Sequence, residues 1–349
     1  MSAVSIDPKI QEKFKRQDLK YTSDTIPGFF RQKIGKIFKY YDLEGKVIKD
    51  KKILKRIESL VIPPGWKNVW VCPKENGHLQ ATGVDERGRK QYIYHPDWIK
   101  LSQQNKFSKV VNFGLSLPKI RQKIAYDLQT KEMNKRKILA TIIWLLEHTF
   151  IRIGNEEYAK GNDSFGLTTL RGRHVKIKKS EIIFQFRGKS GVFNTIEVVN
   201  PTIVKTIKKC VEFPGYELFQ YFDDKGERHV IDSEDINLFL KEVTGDDFSA
   251  KDFRTWGATS LCATNLYKIG YVDDKKELKK KIRETLKKVA SYLNNTISVC
   301  KNYYIHPKVF KTYQKNILGP HFGYYSKSKN NTGGLSWDER ALIKLLQNN

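Results

Sequence analysis

The sequence is short of the patterns that would indicate a membrane, secreted or zinc-binding protein. Its most apolar stretch, residues 138–150, is helix-periodic, contains Glu147 and His148, and is shorter than the about 18 apolar residues of a membrane span. Residues 1–20 are polar and contain no apolar core of a signal peptide, so we expect an intracellular protein. The 4 cysteines lie far apart and lack the paired spacing of a zinc site, which predicts reduced structural thiols.

The motifs of nucleotide and metal chemistry are also missing. Gly188, Lys189 and Ser190 match the end of a phosphate-binding P-loop, but Ile183 stands where that motif requires its first glycine. No two histidines have helical metal-binding spacing, and the acidic residues do not form a cluster suited to two metal ions. We therefore expect no ATP, no metal ion and no other cofactor.

What the chain has in excess is positive charge. Its 64 lysines and arginines outnumber 38 acidic residues, the net charge is +26, and the excess is spread along the sequence. Such a charge predicts a polyanionic partner, which could be DNA, RNA or an anionic membrane surface, and a salt-dependent affinity for a nucleic acid. The lack of a long apolar segment argues against the membrane.

The hydrophobic pattern changes partway along the 349 residues and predicts an α+β protein with two domains. Residues 1–98 form a small, mostly β domain in this interpretation, and residues 99–349 form a larger, mainly α-helical domain. In the first domain the pattern predicts strands at 38–41, 47–48, 69–72, 79–84 and 91–95, with a basic helix at 51–60.

In the second domain the apolar spacing is helical after a polar connector at residues 102–105. The predicted helices are 117–128, 135–153, 203–210, 233–243, 250–269, 275–293 and 338–346. Two strand-like segments, 182–186 and 192–196, interrupt this pattern and predict a β-hairpin with Lys189 near its tip.

Cleaving a phosphodiester without metal requires an oxygen nucleophile, cationic donors for the transition state, and an acid for the leaving oxygen. Candidates for these roles occur at separated places in the second domain. They are Arg152, Lys189 on the hairpin, Arg254 at the start of a helix that Ser249 and Asp252 could cap, and Tyr304.

These segments resemble the poxvirus-type and bacterial type IB DNA topoisomerases over nearly the whole chain. The matching strings occur in the family's order and are Val61-Ile62-Pro63-Pro64-Gly65-Trp66, Arg89-Lys90-Gln91-Tyr92-Ile93-Tyr94-His95, Arg152-Ile153-Gly154-Asn155 followed by Tyr158, Asn162, Ser164 and Gly166, Leu167-Thr168-Thr169-Leu170, and Ile305-His306-Pro307 after the tyrosine. The resemblance implies the catalytic fold shared with tyrosine recombinases. It also implies relaxation of supercoiled duplex DNA through a 3′-phosphotyrosyl intermediate, without ATP or metal.

The resemblance assigns catalytic roles residue by residue. Tyr304 is the implied nucleophile, preferred over its neighbour Tyr303 because the family's tyrosine directly precedes the Ile-His-Pro element. Arg152 and Arg254 are the implied clamp on the nonbridging oxygens, and Lys189 is the implied general acid. At the fifth position Asn295 stands where poxvirus members have histidine and bacterial members have asparagine, which keeps hydrogen bonding and excludes proton transfer.

The resemblance also implies DNA contacts outside this group. Gln91 would read a base edge, Tyr92 and Tyr94 would touch phosphate or base, and Tyr158 would contact the backbone near the cut. The expected partner is double-stranded DNA, bound by a monomer with no obligate protein partner. If the chain is viral, we expect it in the virion or in a viral factory of the infected cell.

Less specific interpretations remain open for each residue and for the whole chain. Lys189 could be an ordinary exposed hairpin lysine, Arg152 a cation at a helix end, and Tyr304 a buried core tyrosine. The chain could also be a tyrosine recombinase, which uses a similar residue set within a tetramer, although the small-domain motifs argue against this. A non-catalytic architectural DNA-binding protein is the alternative from another functional class.

Overall fold

The computed structural model describes residues 18–328 and 333–348, except for the side chains at positions 104, 105, 157 and 158. It divides into two compact units, Met1–Lys106 and Phe107–Asn349. The predicted α+β class is confirmed, since a unit with an antiparallel sheet is followed by a mostly helical one. The domain division predicted after residue 98 and the roles given to the two domains stay predictions.

The first unit is built on an antiparallel sheet. Its strands are β1 (Phe29–Ile34), β2 (Ile37–Tyr41), β3 (Lys67–Val71), β4 (Leu79–Val84) and β5 (Lys90–Tyr94), in the order β2-β1-β3-β4-β5. Helix α1 (Lys51–Ser59) begins where the Asp50 side chain accepts hydrogen bonds from two backbone N–H groups. Ile57 of α1 is fully buried in one cluster with Val71 and Ala81, so α1 covers the apolar side of the sheet.

One strand of this unit was missed from the sequence, and another was wrongly predicted. Strand β1 was missed because only Phe29 of its six residues is buried, so the sequence shows no alternation there. Residues 47–48 do not form a strand, and Val47 makes only an isolated bridge to Tyr41. The predicted meander of β3, β4 and β5 is present.

The rest of the chain is mainly helical. Its helices are α2 (Pro96–Leu128), α3 (Lys135–Thr149), α4 (Glu156–Asn162), α5 (Pro201–Glu212), α6 (Ser233–Thr244), α7 (Ala250–Ile269), α8 (Lys275–Tyr292), α9 (Ile297–Tyr303), α10 (Pro307–Gln314), α11 (Leu318–Ser326) and α12 (Trp337–Gln347). Its strands are β6 (Val175–Ile177), β7 (Ile182–Arg187), β8 (Phe193–Val198), β9 (Gln220–Phe222) and β10 (Arg228–Val230). The predicted hairpin is β7 and β8, to which β6 adds a third strand.

Helix α7 is the scaffold of the second unit and packs against α3, α6, α8, α10, α11 and α12. Phe253, Trp256 and Leu266 are among its buried side chains. Burying each such side chain contributes about 1.5–3 kcal/mol to stability. Since residues on α7 are held from several sides, this helix can present a functional side chain in a fixed position.

The polar segment at 102–105 is helical, so the prediction of a connector there was wrong. Helix α2 is continuous from Pro96 to Leu128 and contains Pro118. From Phe107 onward, buried residues recur along α2 at helical spacing, including Val110 and Phe113. In the described residues, no helix has both the length and the apolar character that crossing a bilayer requires. Cys72, Cys210, Cys262 and Cys300 are free and buried.

Candidate active site

Arg152 lies on an extended segment beyond the end of α3. The sequence predicted a helix to residue 153, but α3 ends at Thr149 because Phe150 adopts a left-handed conformation with φ 53°. The Phe150 ring packs against Gly257 of α7, where a Cβ atom would lie 2.1 Å from the ring. Only glycine accepts this approach, so a contact between distant parts of the chain sets the helix end.

The segment that carries Arg152 is held by backbone hydrogen bonds to residues 166–169. The N–H of Leu167 donates to the carbonyl of Arg152 at 2.8 Å, and that of Thr168 donates to the carbonyl of Ile153 at 2.7 Å. A Cβ atom at Gly166 would lie 2.5 Å from the Arg152 carbonyl oxygen. The two matching strings around 152–155 and 166–170 therefore belong to one structural element that fixes Arg152.

Arg254 is presented by the first turns of α7. The backbone N–H of Ser249 donates to the Asp252 carboxylate at 2.8 Å, as the predicted cap requires. The Arg254 side chain is 4% exposed and donates from Nη2 to the Leu293 carbonyl at 2.7 Å and from Nη1 to the Phe150 carbonyl. Its buried Nε has no hydrogen-bond partner among the residues that the structure describes.

Asn295 lies beside Arg152 in the loop between α8 and α9. Nη2 of Arg152 donates to Asn295 Oδ1 at 2.5 Å and to the Asn294 carbonyl at 3.1 Å. In the described part of the chain, four buried side-chain polar atoms lack a partner, and two of them are Arg254 Nε and Asn295 Nδ2. Because buried donors are normally satisfied, their presence here favours an acceptor that binds at this place.

Tyr304 lies between α9 and α10, close to both arginines. The guanidinium carbon of Arg254 is 5.3 Å from the centre of the Tyr304 ring. The Tyr304 backbone is held by Thr259 of α7, whose hydroxyl donates to the Tyr304 carbonyl at 3.1 Å and accepts from the His306 N–H at 3.1 Å. Sequence reasoning missed Thr259, although its place on the same helix as Arg254 was a usable signal.

The charges of the arginines act directly on the phenol. Burial raises the pKa of the Tyr304 phenol, but the charge of Arg254, a hydrogen-bond interaction with its side chain and the charge of Arg152 lower it, and the net pKa is lowered. Burial, followed by the charge of Arg254, lowers the pKa of Arg152 to about 10. The lowered pKa of Tyr304 favours the ionised form of its phenol, and the lowered pKa of Arg152 reflects a desolvated cation that a bound anion would stabilise.

Neither arginine is paired with an acid in the described residues. The acceptors of their hydrogen bonds are carbonyl, amide and phenol oxygens, which carry no net charge. Arg254 is buried and Arg152 is partly buried, and withdrawing two like charges from water without a counter-ion is costly, so folded proteins usually pair such charges. The arrangement can bind a phosphate, whose oxygens would supply both the missing charge and the missing acceptors.

Lys189 lies in the turn of the β7–β8 hairpin, as predicted, and its side chain is exposed. With Arg152 and Arg254 it lines one pocket, which Phe150, Asn194 and Leu293 also line. Tyr304 and Asn295 do not line that pocket. The structure thus brings Tyr304, Arg152, Arg254 and Asn295 into one cluster, and Lys189 shares a pocket with its arginines.

Of the residues predicted to contact DNA outside this cluster, Tyr92 and Tyr94 are exposed side by side, whereas Gln91 faces the other way. Tyr92 and Tyr94 are exposed on β5, with stacked rings 6.1 Å apart. Strand alternation places Gln91 on the opposite face, where its amide donates to Asp85 at 2.9 Å. The side chain of Tyr158 lies outside the described residues, so its role stays a prediction, as do those of the others.

Among the described residues one group has the composition of a metal site, and it is separate from the cluster. Asp223, Glu227 and His229 at the β9–β10 turn bring their ligand atoms within 4.8 Å of one another. One oxygen of the Asp223 carboxylate accepts hydrogen bonds from two backbone N–H groups of the same turn. The other oxygen lies 2.9 Å from Nε2 of His229. These contacts explain the grouping of the three residues, because they stabilise the turn between β9 and β10.

His306 lies two residues after Tyr304 and forms the N-cap of α10, where its Nδ1 accepts the N–H of Lys308 at 3.1 Å. Burial, then the charges of Lys308 and Lys311, lower the pKa of His306 to about 4. Its unfolded pKa is about 6.5, so its contribution to stability is present above that pH and is lost as pH falls towards the folded pKa.

We therefore expect the free energy of unfolding to fall between pH 7.5 and pH 5, and to fall less in His306→Asn. Asparagine can cap the helix and does not titrate. Urea denaturation at both pH values measures the difference, and His174, whose pKa burial also lowers to about 4, acts equally in both proteins. Equal losses in the two proteins would show that His306 is not a source of the acid sensitivity.

Comparison with known proteins places these features in one family. A family model described as the catalytic core of eukaryotic DNA topoisomerase I matches residues 95–322. A second, described as the N-terminal domain of bacterial DNA topoisomerase IB, matches residues 37–85.

Individual relatives agree with these matches. The DNA topoisomerase 1B of Acanthamoeba polyphaga mimivirus is 33% identical over 304 residues, covering 83% of this chain and 89% of the relative. The DNA topoisomerase I of Monkeypox virus is 27% identical over 243 residues, and the DNA topoisomerase 1B of Vaccinia virus (strain Copenhagen) is 26% identical over 246. Each of these two alignments covers 69% of this chain and 74% of the relative.

Proposed function

The chain belongs to the type IB DNA topoisomerase family, and on that premise we propose that it relaxes supercoiled duplex DNA through Tyr304. In this proposal Tyr304 cuts one strand, the free end rotates, and the strand is rejoined, without ATP or metal. The observation that carries it is a pair of arginines, one buried and one partly buried, that bond only to neutral oxygens among the described residues and lie beside a phenol whose pKa they lower.

The cleavage step exchanges one phosphate ester for another. The Tyr304 oxygen forms a bond to phosphorus, the bond to the 5′ oxygen breaks, and that oxygen takes a proton from the Lys189 ammonium group. The phenol releases its own proton to water, a step that the lowered pKa favours. Rejoining reverses these steps with the 5′ hydroxyl as the nucleophile, so the energy of the broken bond is retained.

The scissile phosphate would complete the hydrogen bonding of the cluster. Within the cluster, Arg254 Nε and Asn295 Nδ2 are buried donors without a partner in the described part of the chain, and nonbridging oxygens are suitable acceptors for both. Since these donors are already in place before the phosphate arrives, little reorganisation is needed as negative charge develops. Asn295 can only donate or accept hydrogen bonds there, so proton transfer to the leaving oxygen falls to Lys189.

The first unit supplies further contacts to DNA in this proposal. The exposed rings of Tyr92 and Tyr94 form a flat surface suited to sugar, phosphate or base contacts, and Gln91 is an additional candidate, as is Tyr158 of the second unit. The net charge of +26 favours binding of duplex DNA, and in this proposal a single copy of the chain binds it. The viral origin of the relatives named above supports action inside an infected cell.

The test is relaxation of negatively supercoiled plasmid in EDTA without ATP. We expect a ladder of topoisomers at enzyme concentrations below that of the plasmid, and a protein–DNA adduct after quenching with detergent. A tyrosine recombinase would require paired sites and partner subunits. An architectural protein would compact the plasmid and leave no adduct, and either result would contradict the proposal.

Lys189→Ala is expected to slow cleavage by about 10²- to 10⁴-fold, because the leaving 5′ oxygen loses its proton donor. A substrate with sulfur at the 5′ bridging position should be cleaved at a rate near that of the unchanged enzyme, since a thiolate leaves without a proton. Lys179→Ala removes an exposed lysine from the other turn of the same sheet and is the control. Slow cleavage of the sulfur substrate by Lys189→Ala would remove Lys189 from the acid role.

A further inference from the structure

A side-chain amide pair joins the hairpin that carries Lys189 to the loop that holds the arginines. Asn294 Nδ2 donates to Asn194 Oδ1 at 2.6 Å, although the two residues are 100 positions apart. Asn194 lies on β8, and Asn294 lies in the loop between α8 and α9. Neither residue is among the groups given a chemical role above.

On the hairpin side, Asn194 holds the turn that contains Lys189. It is 7% exposed, and its Nδ2 donates to the Val192 carbonyl at 2.8 Å. The same carbonyl accepts the N–H of Gly188 at 2.7 Å. A Cβ atom at Gly188 would lie 2.5 Å from Asn194 Nδ2, so the amide packs directly against the residue that precedes Lys189.

On the other side, the Asn294 loop holds both arginines. The carbonyl of Leu293 accepts from Arg254, and the carbonyl of Asn294 accepts from Arg152. Asn294 has φ 47°, a left-handed backbone conformation that asparagine adopts more readily than most residues other than glycine. Three consecutive residues, 293–295, thus contact both guanidinium groups, and the Asn294 amide reaches across to the hairpin.

We propose that Asn294 and Asn194 are positioning residues that set the place of the Lys189 ammonium group relative to the phosphate held by Arg152 and Arg254. The inference rests on the proposed role of Lys189 as general acid. An exposed lysine on a turn has many rotamers, and only a fixed turn backbone limits where its ammonium group can lie. The amide pair ties that backbone to the same loop that fixes the arginines.

Asn294→Gly is the cleanest variant, because glycine adopts the left-handed conformation readily and the carbonyl that accepts from Arg152 is retained. We expect single-turnover cleavage of ordinary DNA to slow by about 10²-fold, the typical cost of misplacing a reacting group by an ångström. Cleavage of the sulfur substrate should stay within a few-fold of the unchanged enzyme. Asn194→Ala, which removes the other amide, should behave in the same way.

Asn316→Gly provides the matched control. Asn316 is exposed, has φ 58°, and lies between α10 and α11, so the substitution is the same in kind and falls in a different loop from the amide pair. We expect it to cleave both substrates at the rates of the unchanged enzyme.

Two outcomes would overturn the inference. Equal slowing on both substrates in Asn294→Gly would show that the amide pair supports the arginines or the fold instead of Lys189. Unchanged cleavage of ordinary DNA would show that the pair has no role in positioning. Failure of the proposed acid role is a separate outcome. It would appear as slow cleavage of the sulfur substrate by Lys189→Ala, a variant in which the amide pair is unchanged.

Discussion

Replacing Tyr304 with phenylalanine is expected to reduce DNA cleavage by at least about 10⁴-fold, because the substitution removes the attacking oxygen. Affinity for duplex DNA should not change, since the ring and its place beside Arg254 are retained. Two measurements check this prediction. Detergent-trapped adduct on a radiolabelled duplex reports cleavage, and binding of the same duplex reports affinity.

Tyr303→Phe is the natural control for this variant. Tyr303 is the adjacent tyrosine and is 47% exposed, whereas Tyr304 is partly buried among the arginines. The control should form adduct at the rate of the unchanged enzyme. Adduct formation that survives in Tyr304→Phe and disappears in Tyr303→Phe would move the nucleophile by one residue and contradict the assignment.

Arg254→Ala is expected to slow cleavage by about 10²- to 10⁴-fold, the range for loss of one preorganised donor group. It should also move the pH dependence of cleavage upward. Since the charge of Arg254 lowers the pKa of Tyr304, removing that charge raises the pKa, and a higher pH is then needed to ionise the phenol. Single-turnover rates measured across a pH series test both parts.

A companion variant separates chemistry from structural support. Arg254 also bonds to the carbonyls of Phe150 and Leu293, so Arg254→Ala leaves buried acceptors unpaired and its stability must be measured in parallel. Arg254→Lys keeps the charge and loses the forked donors, and should slow cleavage while the pH dependence stays near that of the unchanged enzyme. A normal rate in Arg254→Ala, or an upward pH shift in Arg254→Lys as large as that in Arg254→Ala, would contradict the account.

Much of the fold could be predicted because its signals are local. Helix α7 was predicted with its observed bounds, Ala250–Ile269, since the Ser249–Asp252 cap precedes it and Gly270 follows it. The β7–β8 hairpin was visible as two strand-like runs around a turn. The end of α3 was not predictable in this way, because the contact between Phe150 and Gly257 joins residues that are distant in sequence.

The candidate site shows the same division between local and distant information. The resemblance named Tyr304, Arg152 and Arg254, and the structure places these residues together. It did not reveal what holds them, which is the Thr259 hydroxyl behind Tyr304 and the Asn294 loop behind Arg152. Such supporting contacts have no sequence motif of their own, because they depend on how separate elements pack.

The central claim is that the phenol of Tyr304 becomes covalently attached to a DNA strand. The most direct test is to trap the adduct, digest it with trypsin and nuclease, and locate the modified residue by mass spectrometry. The peptide of residues 302–308 contains both Tyr303 and Tyr304 and ends at Lys308. The account predicts a nucleotide linked through its 3′ phosphate to Tyr304, and attachment at Tyr303 or in any other peptide would contradict it.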